Sequence, residues 1–163
     1  MALSYVRIPG YRREIPAFPL PYWVMRQFST TFRVQSRGKG LYEFTGEVER
    51  WVRSCECREG LLTLFERHTT ESLLIQENDD TDVQTELKSF LERNAPEDPS
   101  RYVHTTEGPD DMPAHIRAAL TQTQLSIPLA GGTLVLGTWQ GIYLFEHRSS
   151  PHQRSIAAHL IGE

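Results

Sequence analysis

The chain has 163 residues, 39 % of them hydrophobic and 23 % charged, which excludes an intrinsically disordered protein and fits one globular domain. Seventeen basic against 21 acidic residues give a net charge of −4 with no basic block, so no nucleic-acid partner is expected. No apolar run reaches the roughly 18 residues of a membrane span, and Met1–Tyr11 lacks a signal-peptide pattern, so a cytoplasmic protein with no membrane partner is expected.

Residues 1–23 carry Pro9, Pro16, Pro19 and Pro21 among aromatics and Arg, a density that prevents helix and central strand. They read as an extended arm whose Tyr11, Phe18, Tyr22 and Trp23 pack on their own core or across a subunit boundary. The remainder, 24–163, reads as one domain. Ser29–Ser36 alternates like a strand, Gly38 and Gly40 mark a turn, and Leu41–Phe44 forms a second strand. Thr45 is placed to cap a helix carrying Val48, Trp51, Val52 and Cys55, which Gly60 ends. Leu61–Glu66 and Ser72–Gln76 read as strands. Asn78–Thr81 open a second helix with a buried stripe of Val83, Leu87, Phe90 and Leu91. After a Pro-rich loop over Asn94–Ser100, Asp110 or Asp111 with Pro113 starts a third helix, with Ile116 and Leu120 facing the core. Leu125–Leu129, Thr133–Gly137, Ile142–Glu146 and Ile156–Ile161 complete the strands, and Gly131-Gly132 turns a hairpin. Three helices among hairpin-linked strands predict an α+β fold with mostly antiparallel or mixed sheets.

Cys55 and Cys57 lack a second pair, so they are not a zinc ribbon and read as reduced structural thiols. Arg carries almost all the positive charge, since Lys occurs only at 39 and 88. A GC-rich genome explains this more simply than selection for bidentate phosphate contacts. No phosphate-loop, dinucleotide-binding or Gly-x-Ser-x-Gly motif is present, which argues against those enzyme classes. His68, His104 and His115 lie near element ends, where site residues gather and where three imidazoles suit Zn²⁺; loop-edge capping is the plainer account. His147 and His152 flank a Ser-Ser-Pro loop and read as exposed, whereas His159 in an apolar strand reads as core or interface. Asp79-Asp80 and Asp110-Asp111 read first as helix caps, and second as ligands for Mg²⁺ on a pyrophosphate. Trp139 and Gln140, between Gly137 and Gly141, form either a bulge with a packed indole or an aromatic wall for a ligand. Glu146, Arg148 and Arg154 follow, as surface ion pairs or phosphate contacts.

Taken in order, His68-Thr69-Thr70-Glu71-Ser72-Leu73, Gln76-Glu77-Asn78-Asp79-Asp80, Tyr102-Val103-His104, Glu107-Gly108-Pro109-Asp110-Asp111-Met112-Pro113-Ala114-His115, Gly137-Thr138-Trp139-Gln140-Gly141-Ile142 and Leu160-Ile161-Gly162-Glu163 resemble the YjbQ family, described as secondary thiamine-phosphate synthases. The resemblance spans 24–163 and leaves the arm outside. It implies a homotrimer with histidine-bound metal near subunit boundaries. His68, His104 and His115 would hold a divalent metal, Zn²⁺ first, with Mg²⁺ accompanying pyrophosphate. Glu107, Gln140 and Glu146 match recurrent polar positions as catalytic residues; Trp139, Arg154, Asp110 and Asp111 would bind the ring and phosphate, the last two at the helix N-terminus. Phe145 stands where many members carry Cys, which excludes a thiol role there. The implied reaction joins hydroxymethylpyrimidine diphosphate and thiazole phosphate, as a main or side activity on a small phosphorylated heteroaromatic substrate. The alternatives are a hydrolase-type enzyme using water activated by a metal, and a non-catalytic metal-stabilised trimer.

Overall fold

A computed structural model describes residues 25–163. The proline-rich arm expected over 1–23 lies outside the described residues. Among the described residues, eight strands form two antiparallel sheets. The first has the order β1 (Arg26–Gln35), β8 (Gln153–Gly162), β3 (Gly60–Glu66), β5 (Gln124–Ala130) and β6 (Thr133–Leu134); the second has the order β2 (Gly40–Glu43), β7 (Gln140–Glu146) and β4 (Glu71–Glu77). Three α-helices, α1 (Thr45–Ser54), α2 (Thr81–Asn94) and α3 (Asp111–Ala119), join them. The expected single-domain α+β fold is the observed one.

One core receives side chains from both sheets and from α1. Alternation supplies the first sheet: Leu125, Ile127 and Leu129 of β5 point inward while Gln124, Ser126 and Pro128 point out. In β7, which lies between β2 and β4, Gly141–Glu146 is buried along its whole length, and Ile142–Phe145 reads as a continuous apolar run. The Gly131-Gly132 hairpin forms as expected, with φ of 58° and 82°, the positive values a two-residue loop requires. Gly60 and Gly162 face each other across β3 and β8; a Cβ on Gly60 would collide with the Ile161 carbonyl oxygen, and one on Gly162 with that of Glu59.

Several expectations are corrected. β1 starts at Arg26, β8 runs over Gln153–Gly162, and β6 covers only Thr133–Leu134. Thr45 does not cap α1: it is the first helical residue, and its hydroxyl donates to Glu43 and accepts from the Ile142 N–H, stitching the helix to β7. α1 ends at Ser54 with Cys55 as its cap, so Gly60 opens β3 instead of ending the helix. In α2 only Leu91 is buried, Val83 and Leu87 are half-buried and Phe90 is exposed. In α3 the buried face is Asp111, Pro113, Ala114, Arg117 and Ala118, while Ile116 is half-buried and Leu120 exposed. The buried face of that helix therefore centres on Asp111, Ala114 and Ala118, not on Ile116 and Leu120. The loop after α2 contains a short 3₁₀ turn over Pro99–Arg101. His147 is buried, not exposed, because the buried stretch of β7 continues through it. His159 is half-buried and pairs with Gln27 across the strands. Asp80 caps α2 as expected, accepting from Asp82 N–H at 2.8 Å.

Leu144 sits fully buried on β7 within the core. Leu144→Ala is expected to cost about 2–5 kcal/mol through lost burial and the cavity left behind. Urea denaturation measures it, as a lower midpoint at unchanged slope.

Candidate functional site

The segment between α2 and α3 brings His104 back over the start of α3, and Asp111 and His115 lie one helical turn apart. Their ligand atoms converge. His104 Nε2 is 2.9 Å and His115 Nε2 3.4 Å from Asp111 Oδ2, and all three ligand atoms lie within 4.8 Å of one another. Asp111 is buried, whereas both imidazoles remain partly open to solvent. Two imidazoles and a carboxylate form a donor set that fits Zn²⁺ or a similar divalent metal.

Arg148, just beyond β7, fixes this group from behind. Its guanidinium pairs with Asp111 Oδ1, reaches Asp110 Oδ2 at 3.1 Å and donates to the Glu107 carbonyl at 2.8 Å. Burial pushes the Asp110 carboxyl up, but the Ser149 N–H and Arg148 outweigh it and hold it below its ordinary value. Neither Asp110 nor Asp111 caps α3 through its side chain. The helix start therefore already carries two carboxylates, which oppose a phosphate there and favour a cation. Glu107 is exposed on the turn before them.

A second group joins the two sheets. Arg154 of β8 donates through Nε and Nη2 to Glu146 of β7, both at 2.6 Å, and Nη2 also reaches the Thr70 hydroxyl at 3.3 Å. Glu66 and Glu71, at the two ends of the β3–β4 loop, complete the cluster, and all four charged residues are buried. Burial opposes the charge on Glu146, but its bonds from Arg154 and the backbone hold its pKa below the ordinary value. Glu71 shows the opposite balance. Burial, reinforced by Glu66 and Glu146 against Arg154, pushes its pKa up to about 8. Its Oε2 lies 2.7 Å from Arg154 Nε, yet that N–H is directed at Glu146, so the Glu71 oxygen lacks a hydrogen bond. The backbone N–H of His68 donates to Glu66 at 2.6 Å, and the His68 Nδ1 accepts from Thr70, which fixes the loop and the ring.

Of the sequence-derived residues, His104, His115 and Asp111 come together. His68 is not one of the three; it borders a cavity with Arg154. Trp139 and Gln140 stand at the opposite end of β7 from Glu146, about 20 Å away at roughly 3.3 Å per residue. Trp139 is exposed instead of packed, and Gln140 Oε1 accepts from Gly137 N–H at 2.7 Å. Sequence reasoning assigned Asp111 to phosphate or to Mg²⁺ on a pyrophosphate and did not group it with His104 and His115, although Asp111 and His115 have helical i, i+4 spacing. It also missed Glu66 and Glu71, for which no local signal existed. His147 bonds the Ser72 hydroxyl at 2.9 Å, and burial drives its pKa down to about 3, so it is neutral. Both partners are fully buried, which excludes Ser72 as a nucleophile toward a ligand in solution.

These shifts set the pH dependence of stability. Glu71 holds its proton more tightly when folded, from an ordinary 4.5 up to about 8, so its contribution is full below 4.5 and is lost as pH rises through about 8. His147 works in reverse: its contribution is full above 6.5 and is lost as pH falls toward about 3. Glu71→Gln is expected to remove the alkaline loss, narrowing the fall in melting temperature between pH 5 and pH 9 by at least about 3 °C. Thermal melts of both proteins across that range measure it.

The sequence matches the family described as "UPF0047 protein YjbQ-like" over residues 30–163. A UPF0047 protein of Synechocystis sp. is 49 % identical over 138 residues, covering 85 % of this chain and 94 % of the relative. The UPF0047 protein YjbQ of Escherichia coli O157:H7 is 36 % identical, covering 83 % and 99 %. Among solved structures, a YbjQ-like protein of unknown function from Sulfolobus solfataricus superposes with a TM-score of 0.78 at 23 % identity, covering 85 % of this chain and 99 % of the other. A conserved hypothetical protein from Thermus thermophilus gives 0.70 at 30 % identity, covering 79 % and 97 %.

Proposed function

The chain belongs to the YjbQ-like UPF0047 family, and from that membership and the geometry above we propose that it is a metal-dependent enzyme of the secondary thiamine-phosphate synthase type. It joins hydroxymethylpyrimidine diphosphate to thiazole phosphate. The thiazole nitrogen forms a bond to the pyrimidine methylene carbon, the bond from that carbon to the diphosphate oxygen breaks, and pyrophosphate leaves with the electron pair. The observation that carries this reading is the convergence of His104, Asp111 and His115 beside a cavity bordered by arginines.

His104, Asp111 and His115 would hold the metal, with Zn²⁺ favoured by the imidazoles and Mg²⁺ the alternative when pyrophosphate supplies further oxygens. When bound, such a metal neutralises charge on the departing group. Arg148 keeps the Asp111 carboxylate oriented by occupying its second oxygen. Glu146 fixes the Arg154 guanidinium at the wall of the neighbouring cavity, while Glu107, exposed on the turn before Asp110, would handle protons. Trp139 and Gln140 lie too far along β7 to reach the metal residues of their own chain. Their role in holding the rings therefore falls to a neighbouring copy in a homotrimer. The outward, exposed Leu61 and Phe65 of β3 are apolar surface suited to such an assembly. A cytoplasmic location accords with two free, buried cysteines, and no helix of the described residues is long and apolar enough to cross a membrane.

Pyrophosphate release with both precursors, measured alongside metal content and light scattering, tests the reading. His104→Ala, His115→Ala and Asp111→Asn are each expected to lower metal occupancy and to reduce turnover by about 10–100-fold or more. A metal-loaded trimer that releases no pyrophosphate would refute the synthase assignment. Three protein ligands with room for a further one also suit a hydrolase-type enzyme; phosphate release from a single phosphorylated precursor would favour that reading.

A further inference from the structure

We propose that the cavity of about 270 Å³ between the β3–β4 loop and the start of β8 is an oxyanion subsite, separate from the His104–Asp111–His115 group, that seats a phosphoryl group with Arg67 as its principal contact. It rests on the reading above only for the statement that the substrate carries phosphate.

The cavity is lined by Arg67, His68, Glu71, Gln153, Arg154 and Ser155, and hydrogen bonding sets the polarity of its wall. The Nδ1 of His68 accepts from the Thr70 N–H at 3.3 Å, so the neutral ring carries its proton on Nε2. The Oε1 of Gln153 accepts from Arg33 at 3.3 Å, which leaves the amide N–H₂ to donate. Arg154 is locked by Glu146 through Nε and Nη2, a fixed cation whose orientation costs a ligand nothing to arrange. Ser155 offers a hydroxyl. Arg67 is exposed at the rim, a planar fork suited to two oxygens of a phosphate.

Glu71 is the lining group that would repel an anion, and burial keeps it neutral at pH 7, with its pKa up at about 8. Of the charged groups around it, Glu66 on β3 and Glu146 on β7 oppose its ionisation, while Arg154 on β8 favours it. Around neutral pH the wall therefore presents two guanidinium groups, an imidazole N–H, an amide and a hydroxyl, with no ionised carboxylate of its own. Such a lining suits a phosphate ester or pyrophosphate and disfavours a cation. It differs from the helix start at Asp110 and Asp111, where the carboxylates favour the reverse.

Isothermal titration of inorganic phosphate and of pyrophosphate into the full-length protein, dialysed against a chelator, tests this without turnover. One saturating anion per chain is expected. Arg67→Gln, at an exposed position that leaves the fold intact, is expected to weaken binding at least ten-fold, whereas His115→Ala should change it less than two-fold. Absence of phosphate binding, undiminished binding in the Arg67→Gln protein, or binding that vanishes in His115→Ala would each overturn the proposal. Failure of pyrophosphate release would touch only the synthase reading, because binding is measured without a second substrate.

Discussion

The two sheets are locked together at one end by a single buried guanidinium. Arg154 belongs to the first sheet and Glu146 to the second, and their two short hydrogen bonds cross between them. A buried pair of this kind gives specificity more dependably than net stability, because taking both charges out of water costs nearly what their attraction returns. Its demand is strict: removing one partner strands the other. Here the stranded charge would lie among Glu66, Glu71 and Ser36, so the cluster ties the β3–β4 loop and the end of β1 to the same point.

Around that point the chain folds two chemically opposite surfaces. Continuing past Glu146, the backbone reaches Arg148, which draws α3 inward through Asp110 and Asp111 and so aligns His115 with His104. Preceding Arg154 in space, the loop after β3 carries Arg67 and His68 to the cavity. The carboxylate-rich face suits a cation and the donor-rich face suits an oxyanion. The proposed pair of substrates, one with a departing diphosphate and the other with a phosphate tail, would use both, since each stabilises a different part of the charge. Carboxylates in the first face and a protonated carboxyl in the second let one short region serve both signs.

Much of the architecture was legible because strands with one wet face write their period into the sequence. β5 alternates at every residue, and Gly131-Gly132 admits little except a tight hairpin. Helices were less legible. Val83, Leu87 and Phe90 of α2 follow a 3.6-residue period as faithfully as a core stripe would, yet none of them is fully buried and only Leu91 is. Periodicity identifies a face without saying what the face meets. The site divides in the same way. The spacing of Asp111 and His115 is local and readable, whereas the approach of Glu66, Glu71, Glu146 and Arg154 depends on how two sheets stack. Trp139 and Glu146 look adjacent on paper, but an extended strand of 7 residues separates them by the length of the sheet.

The facing glycines of β3 and β8 carry an evolutionary consequence. What would collide with a side chain at Gly60 or Gly162 is main-chain oxygen, which no compensating change in a neighbouring residue can trim away. Gly131 is different in kind: the space around it is open and only its φ of 58° disfavours other residues, a preference that Asn or Asp partly shares. Homologous chains that keep this architecture should therefore drift at the hairpin tip and stay invariant where the strands touch, so that the two classes of glycine record separate histories.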